Sequence, residues 1–225
     1  MTDYYSRHDR LYVAVDCIIF GLKNGQLSLL LAKRRFEPEM GKWSLMGGFV
    51  GAGESVDEAA QRVLTDLTGL EDVYMEQVGT FGAVDRDPGE RVVSVAYFAL
   101  VNLEKLGPRA TPGPGALWIS LKELPSLCFD HKAMIDRARQ AMRRKFSSEP
   151  VAFELLPELF TITQLQNLYE TILGEPLDKR NFRKRIGEIP SIVPTDLIDK
   201  TGSRRGARLF RFDADLFAAD GKFKI

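Results

Sequence analysis

Apolar and polar positions alternate along this chain in a way that separates strands from helices. The segment Leu11–Leu22 (LYVAVDCIIFGL) is rich in β-branched and aromatic residues, with one charge, Asp16, in its middle. It reads as a buried strand. Asn24-Gly25 is a two-residue hairpin turn, because both positions favour the positive φ such a turn needs. Gln26–Lys33 (QLSLLLAK) reads as the return strand. A helix is expected over Asp57–Thr68, where Ala60, Val63, Leu64 and Leu67 recur three and four apart, with Gly69 at the C-terminal cap. Strands are expected at Tyr74–Phe81 and Arg91–Leu103, then a Pro/Gly loop at Gly107–Ala116 and a short edge strand at Ala116–Ser120. Asp130–Lys145 is an amphipathic helix. Its closing Arg143, Arg144 and Lys145 suit the negative end of the helix dipole.

The pattern changes at Phe146–Glu158, which carries two prolines. A domain boundary is expected there, dividing residues 1–148 from 149–225. Beyond it, Thr163–Leu173 reads as a helix capped by Thr163 and stopped by Gly174. Asp178–Glu188 reads as a second helix with Asp178 as N-cap. Ser191–Asp199 and Ala207–Phe212 read as two strands around a basic tip, GSRRG (Gly202–Gly206).

Composition narrows the class. In 225 residues, 44% are hydrophobic and 28% charged, ordinary for a globular protein of one or two domains. Cys17 and Cys128 sit in apolar settings, as buried free thiols do in a reducing compartment. The chain has no zinc-like Cys/His spacing and no apolar run long enough to span a bilayer. A cytoplasmic location is expected. Lys plus Arg equals Asp plus Glu at 31 each, so the total charge points to no partner.

The distribution of charge does. Between Lys179 and Arg211 ten basic side chains face three acidic ones, Glu188, Asp196 and Asp199. That is the electrostatic footprint of a nucleic-acid binder. Two helices followed by a hairpin with a basic tip is the layout of a winged helix-turn-helix. In LDKRNFRKRIGEI, Leu177, Phe182, Ile186 and Ile189 would face the core. Arg180, Asn181 and Arg183 are candidates for base edges, and Lys179, Lys184 and Arg185 for phosphates. Arg204 and Arg205 could reach a minor groove or backbone from the wing.

The stretch Gly48–Leu70 resembles the Nudix hydrolase signature. Gly48, Glu54, Arg62, Leu64, Gly69 and Leu70 fall in register with it, and KRRFEP and GKWSLMGGFV upstream are similar to Nudix strand-and-loop sequence. In that family three acids on one helix face jointly hold magnesium, which takes oxygen ligands and neutralises a diphosphate. Here those positions are Val63, Asp66 and Leu67. One carboxylate in place of three is a poor magnesium site, so no metal, no cofactor and no catalytic residue are expected. Residual metal binding at Glu54 and Asp66 stays open. A scaffold that loses its ligands keeps its pocket, which suggests a sensor. Asp16, Arg34, Glu37, Phe49, Asp85, Arg86 and Asp87 are the candidates for effector contact. Asp16 could instead cap backbone, and Asp85–Asp87 could form a solvated turn.

Over its whole length the chain resembles the Nudix-related transcriptional regulators. The likeness rests on DCIIFGL, KRRFEPEMGKWSLMGGFV, FGAVDRDPGERVVSVAYFAL and FTITQLQNLYETILGEPLDKRNFRKRI. It implies an α+β fold: a Nudix α/β/α sandwich followed by a small winged helix-turn-helix domain. It implies a homodimer that binds a palindromic operator, usually as a repressor, with motion transmitted through Phe146–Glu158. The wording DRDPGERVVSVAYFALV, VLTDLTGLE and SLMGGF places it nearer the branch that senses L-arabinose and governs sugar utilisation. The alternatives are an ADP-ribose-responsive regulator of NAD metabolism and an active Nudix pyrophosphohydrolase.

Overall fold

The computed structural model of the chain describes residues 4–71, 73–201, 206–221 and 223. The expected first hairpin is formed by β1 (Tyr12–Lys23) and β2 (Gln26–Lys33), and Asn24 and Gly25 at its turn both have positive φ. Two short strands, β3 (Trp43–Ser44) and β4 (Met46–Phe49), follow. Helix α1 spans Val56–Thr68. Strands β5 (Tyr74–Phe81) and β6 (Val92–Asn102) come next, then the short helix α2 (Leu103–Leu106) and β7 (Ala116–Ser120). Helix α3 covers His131–Ser148. The strands form one seven-stranded sheet in the order β3-β2-β1-β6-β5, with β4 paired to β1 and β7 to β2.

The core lies along β1 and β6. Ile18, Ile19, Phe20, Phe98 and Ala99 are sealed from solvent, as continuous apolar strand sequence requires when both faces of a sheet are covered. Ser55 starts α1 with a reciprocal capping box to Glu58, and Gly69 ends it in the left-handed conformation. Strand β4 is antiparallel to β1, opposing Asp16 to Gly47 and Val15 to Gly48. A Cβ at Gly47 would run into the Asp16 carboxylate, so glycine is what lets Asp16 stand between these strands.

The contacts divide the chain into two compact units. One takes the chain through Phe20, Leu29–Ala99 and Thr111–Ala138. The other takes Gly21–Ser28, Leu100–Ala110 and the chain from Arg139 onward. The second unit therefore includes the tip of the first hairpin. Within it, α4 (Ile162–Leu173) and α5 (Lys179–Gly187) precede a two-stranded antiparallel sheet, β8 (Ile192–Asp199) with β9 (Ala207–Phe212), and a closing helix α6 (Ala214–Asp220). Phe153 stacks on Phe212 with ring centres 4.3 Å apart, and Tyr169 contacts Phe146 and Phe182. The Thr171 hydroxyl donates to the Gly25 carbonyl at 3.0 Å, tying α4 to the hairpin tip.

Two expectations change, and one helix is not anticipated. The cap of α4 is Thr161, not Thr163: its hydroxyl accepts from the Gln164 N–H while the Gln164 side chain accepts from the Thr161 N–H. Thr163 is exposed. The segment after Lys145 continues as helix to Ser148 and then forms a 3-10 turn, Pro150–Glu154, burying Val151, Ala152 and Leu155. Helix α6 had no expectation, being too short for its period to stand out. Among the described residues no helix is long and apolar enough to cross a membrane.

Candidate functional site

The loop before α1 is locked by one ion pair. Arg62 donates to both Glu54 oxygens, at 2.8 and 2.6 Å, and to the Phe49 carbonyl at 3.0 Å. The Gly51 N–H adds a bond at 2.7 Å. Arg62 first, and Gly51 second, pull the Glu54 carboxyl down to about 2. This is a structural use of Glu54. Of the three acid positions, Val63 is 3% exposed and packs against Gly48, whose absent Cβ makes room for it. Asp66 lies 3.8 Å from Arg62, and Leu67 is half-exposed. Among the described residues no three His, Cys, Asp or Glu side chains gather to hold a metal ion.

Beside the box is a cavity of about 530 Å³. That lies within the range of small-molecule sites. Its walls include Phe49, Leu67, Val92, Pro114 and Phe129. Its polar side is a cluster centred on Asp16. Ser94 donates to Asp16 at 2.6 Å. Arg86, 4% exposed, reaches Asp16 at 3.6 Å and makes a two-pronged bond to Asp130. His131 Nε2 lies 3.5 Å from Asp16. The Leu45 N–H donates to His131 Nδ1 at 3.1 Å, so the imidazole carries its proton on Nε2, facing Asp16. Burial holds the His131 pKa below its ordinary value, against the pull of Asp16 and Asp130.

The structure brings Asp16, Arg34, Phe49, Arg86 and Asp87 onto this one cavity. It does not bring Glu37 or Asp85 there. Glu37 accepts from the Met40 N–H in its own loop, and Asp85 is exposed on the turn before Arg86. Asp87 also keeps the turn role, accepting from the Gly89 N–H. Phe129 and His131 also line the cavity, and Ser94 and Asp130 bond to Asp16 and Arg86; sequence reasoning names none of the four as a site residue. His131 is one of only two histidines and stands where a helix begins, a signal that was there to use. Cys17 donates to the Ala60 carbonyl, and burial pushes its thiol up to about 12, an unreactive group.

In the second unit, α5 separates its faces as its period requires. Phe182 and Ile186 are buried, with Ile189 beyond the helix end, while Lys179, Arg180, Asn181, Arg183, Lys184 and Arg185 are all exposed. Asp178 caps the helix through the Asn181 N–H. The turn from α4 is held by Glu170, which accepts from the Leu177 N–H and from Gln166. Arg204 and Arg205 lie outside the described residues.

Comparison with known proteins places these features. Residues 10–144 match the family described as NUDIX domain, and 152–212 the family described as NrtR DNA-binding winged helix domain. A relative from Acinetobacter baylyi, described as an ADPR responsive transcriptional repressor, is 36% identical over 204 residues, covering 89% of this chain and 81% of the relative. An ADP-ribose pyrophosphatase of Methanocaldococcus jannaschii is 33% identical over 129 residues, 56% of this chain and 74% of the relative. The crystal structure of Shewanella oneidensis NrtR with a 27mer DNA superposes with a TM-score of 0.79 at 30% identity, covering 92% of this chain and 95% of that one. The NUDIX domain of that protein in complex with ADP ribose gives 0.54 at 27% identity, over 63% of this chain and 98% of that one.

The assignment to the arabinose-sensing, sugar-utilisation branch is overturned by these relatives, whose descriptions refer to ADP-ribose. The physical reason is visible in the fold. The longest of the three tracts that suggest that branch, DRDPGERVVSVAYFALV, is largely the sealed strand β6, where packing rather than ligand chooses the residues.

Proposed function

Since the chain belongs to the NUDIX family and joins that domain to a winged helix of the NrtR DNA-binding type, we propose that it is an ADP-ribose-responsive transcriptional repressor of NAD metabolism genes. The observation that carries this reading is the α5 face. Six adjacent polar and basic side chains stand in solvent over a buried Phe182–Ile186 seam, at the helix that enters the major groove in a helix-turn-helix. Residues 1–148 serve as the effector domain and 149–225 as the DNA-binding domain. The protein acts in the cytoplasm as a homodimer on a palindromic operator, so that two α5 helices meet successive major grooves. Arg180, Asn181 and Arg183 read bases. Lys179, Lys184 and Arg185 hold phosphates, and Arg204 and Arg205 reach a minor groove or the DNA backbone.

ADP-ribose enters the cavity bounded by Asp16, Arg34, Phe49, Arg86 and Asp87. It releases DNA by binding one arrangement of the domains better than the other, which is the only way a ligand moves such an equilibrium. The 146–158 segment transmits that change. The protein does not hydrolyse its effector, because Val63 and Leu67 stand where two metal-binding acids are needed.

Gel-shift titration with DNA upstream of genes for NAD synthesis tests the regulator. The expected result is a tight complex that weakens with added ADP-ribose and ignores L-arabinose. The same preparation, incubated with ADP-ribose and magnesium, is expected to release no AMP. Rapid hydrolysis together with indifference to duplex DNA would favour the pyrophosphohydrolase reading instead.

A further inference from the structure

Resting on the effector reading above, we propose that Arg34 is the diphosphate receptor of the cavity and that it replaces the counter-charge a metal ion would supply. Its guanidinium lies over two rings, 4.8 Å from the centre of Phe36 and 4.7 Å from that of Phe129. Its Nε donates to the Pro38 carbonyl at 2.8 Å. The loop that carries these groups is closed on itself, by Arg34 N–H to the Lys42 carbonyl at 3.0 Å and Gly41 N–H to the Arg34 carbonyl at 2.9 Å. The arginine is thus oriented before any ligand arrives, so less side-chain freedom remains to be lost on binding.

What is left open is its fork. Among the described residues neither terminal nitrogen of Arg34 has a hydrogen-bond acceptor, and no carboxylate pairs with it. The other arginines on the cavity already have their terminal nitrogens engaged: Arg86 is taken by Asp130 and Asp16, and Arg35 donates to the Pro114 carbonyl. A planar pair of N–H groups matches two phosphate oxygens. Asp66 and Leu67, which also line the cavity, occupy two of the positions from which a full acid triad would hold magnesium. A diphosphate entering here finds a guanidinium rather than a cation cage. The apolar surfaces of Phe49, Leu67 and Phe129 beside it suit the ring system of a nucleoside diphosphate.

Calorimetric titration of ADP-ribose into the full-length protein tests this, with magnesium and with EDTA, on wild type, Arg34→Ala and Arg34→Lys. Wild-type affinity should be the same in both buffers. Arg34→Ala should weaken it roughly 10- to 100-fold, the loss of charge-assisted bonds to one group. It should also flatten the dependence of affinity on salt. Arg34→Lys should recover only part of the loss, since an ammonium is a point charge that cannot bond two oxygens in a planar fork. If Arg34→Ala melts early, Arg34→Gln gives the same comparison in a folded background. Wild-type binding that needs magnesium, or Arg34 variants that bind as wild type does, overturns the proposal alone. Failure of wild type to bind in either buffer overturns the effector reading and this proposal with it.

Discussion

Arg86 and Asp130 meet as a fork on a carboxylate, with Nε 3.0 Å from one oxygen and NH2 2.8 Å from the other. The arginine is sealed in, and its NH2 also faces Asp16 at 3.6 Å. One cation thus serves two acids at the cavity. Arg86→Ala leaves both without it. A loss of about 3 kcal/mol is expected, because removing one partner strands buried charge. Urea unfolding measures it, and Arg86→Ala at wild-type stability would contradict the pairing.

Val63 sits in the first acid position of the degenerate box and is packed against Gly48. Val63→Glu therefore does not rebuild a metal site. It drives a carboxylate into a sealed space at a cost of more than about 2 kcal/mol. The loss should shrink as pH falls and the new acid is protonated. Thermal melting at pH 7 and pH 5 reads both effects.

The stability of the fold carries the signature of His131. Its folded pKa lies below the ordinary 6.5 because burial disfavours the imidazolium. Above about pH 6.5 the imidazole is neutral folded and unfolded, and the contribution is fully present. As pH drops below that value the unfolded chain takes up a proton the folded one refuses, and stability is lost. His131→Gln is expected to flatten the slope of unfolding free energy between pH 7 and 5. An unchanged slope would show that the histidine is not neutral in the fold.

On the proposed reading the α5 face makes two kinds of contact with DNA. Arg183→Ala is expected to weaken operator binding by about 1–3 kcal/mol and to relax preference at one base position. Lys184→Ala is expected to weaken all sequences alike and to lower the salt slope by about 1. Both side chains are exposed, so circular dichroism should not change. Fluorescence anisotropy over a salt series separates the two outcomes.

Thr161 and Thr163 are two residues apart, yet only the first caps α4. Thr161→Ala is expected to cost about 1 kcal/mol, and Thr163→Ala close to nothing. The reverse order in chemical denaturation would return the helix start to the later threonine.

Much of the molecule was legible residue by residue. Asn24-Gly25 announced its hairpin, Gly69 and Gly174 their helix ends, and Asp178 its cap. Phe182, Ile186 and Ile189 separated the buried side of α5 from the exposed one. Each of these depends on neighbours within a turn or two, where backbone sterics and helical period act directly. The cap at Thr161 was misplaced because two threonines were available and only the reciprocal bond with Gln164 chose between them. The ligand branch was misjudged because sequence likeness in β6 reports how a strand packs.

Local period, turn chemistry and the concentration of positive charge on the last third of the chain were determined by the sequence alone, since they arise between residues close along the chain. Only the tertiary structure decided that Asp16, Ser94, Arg86 and His131 form one cluster. That grouping follows from strand register, which sets Asp16 against Gly47 and closes pairs 78 residues apart in sequence. A shift of one residue would turn Asp16 to the opposite face of the sheet, so no local pattern could have placed it.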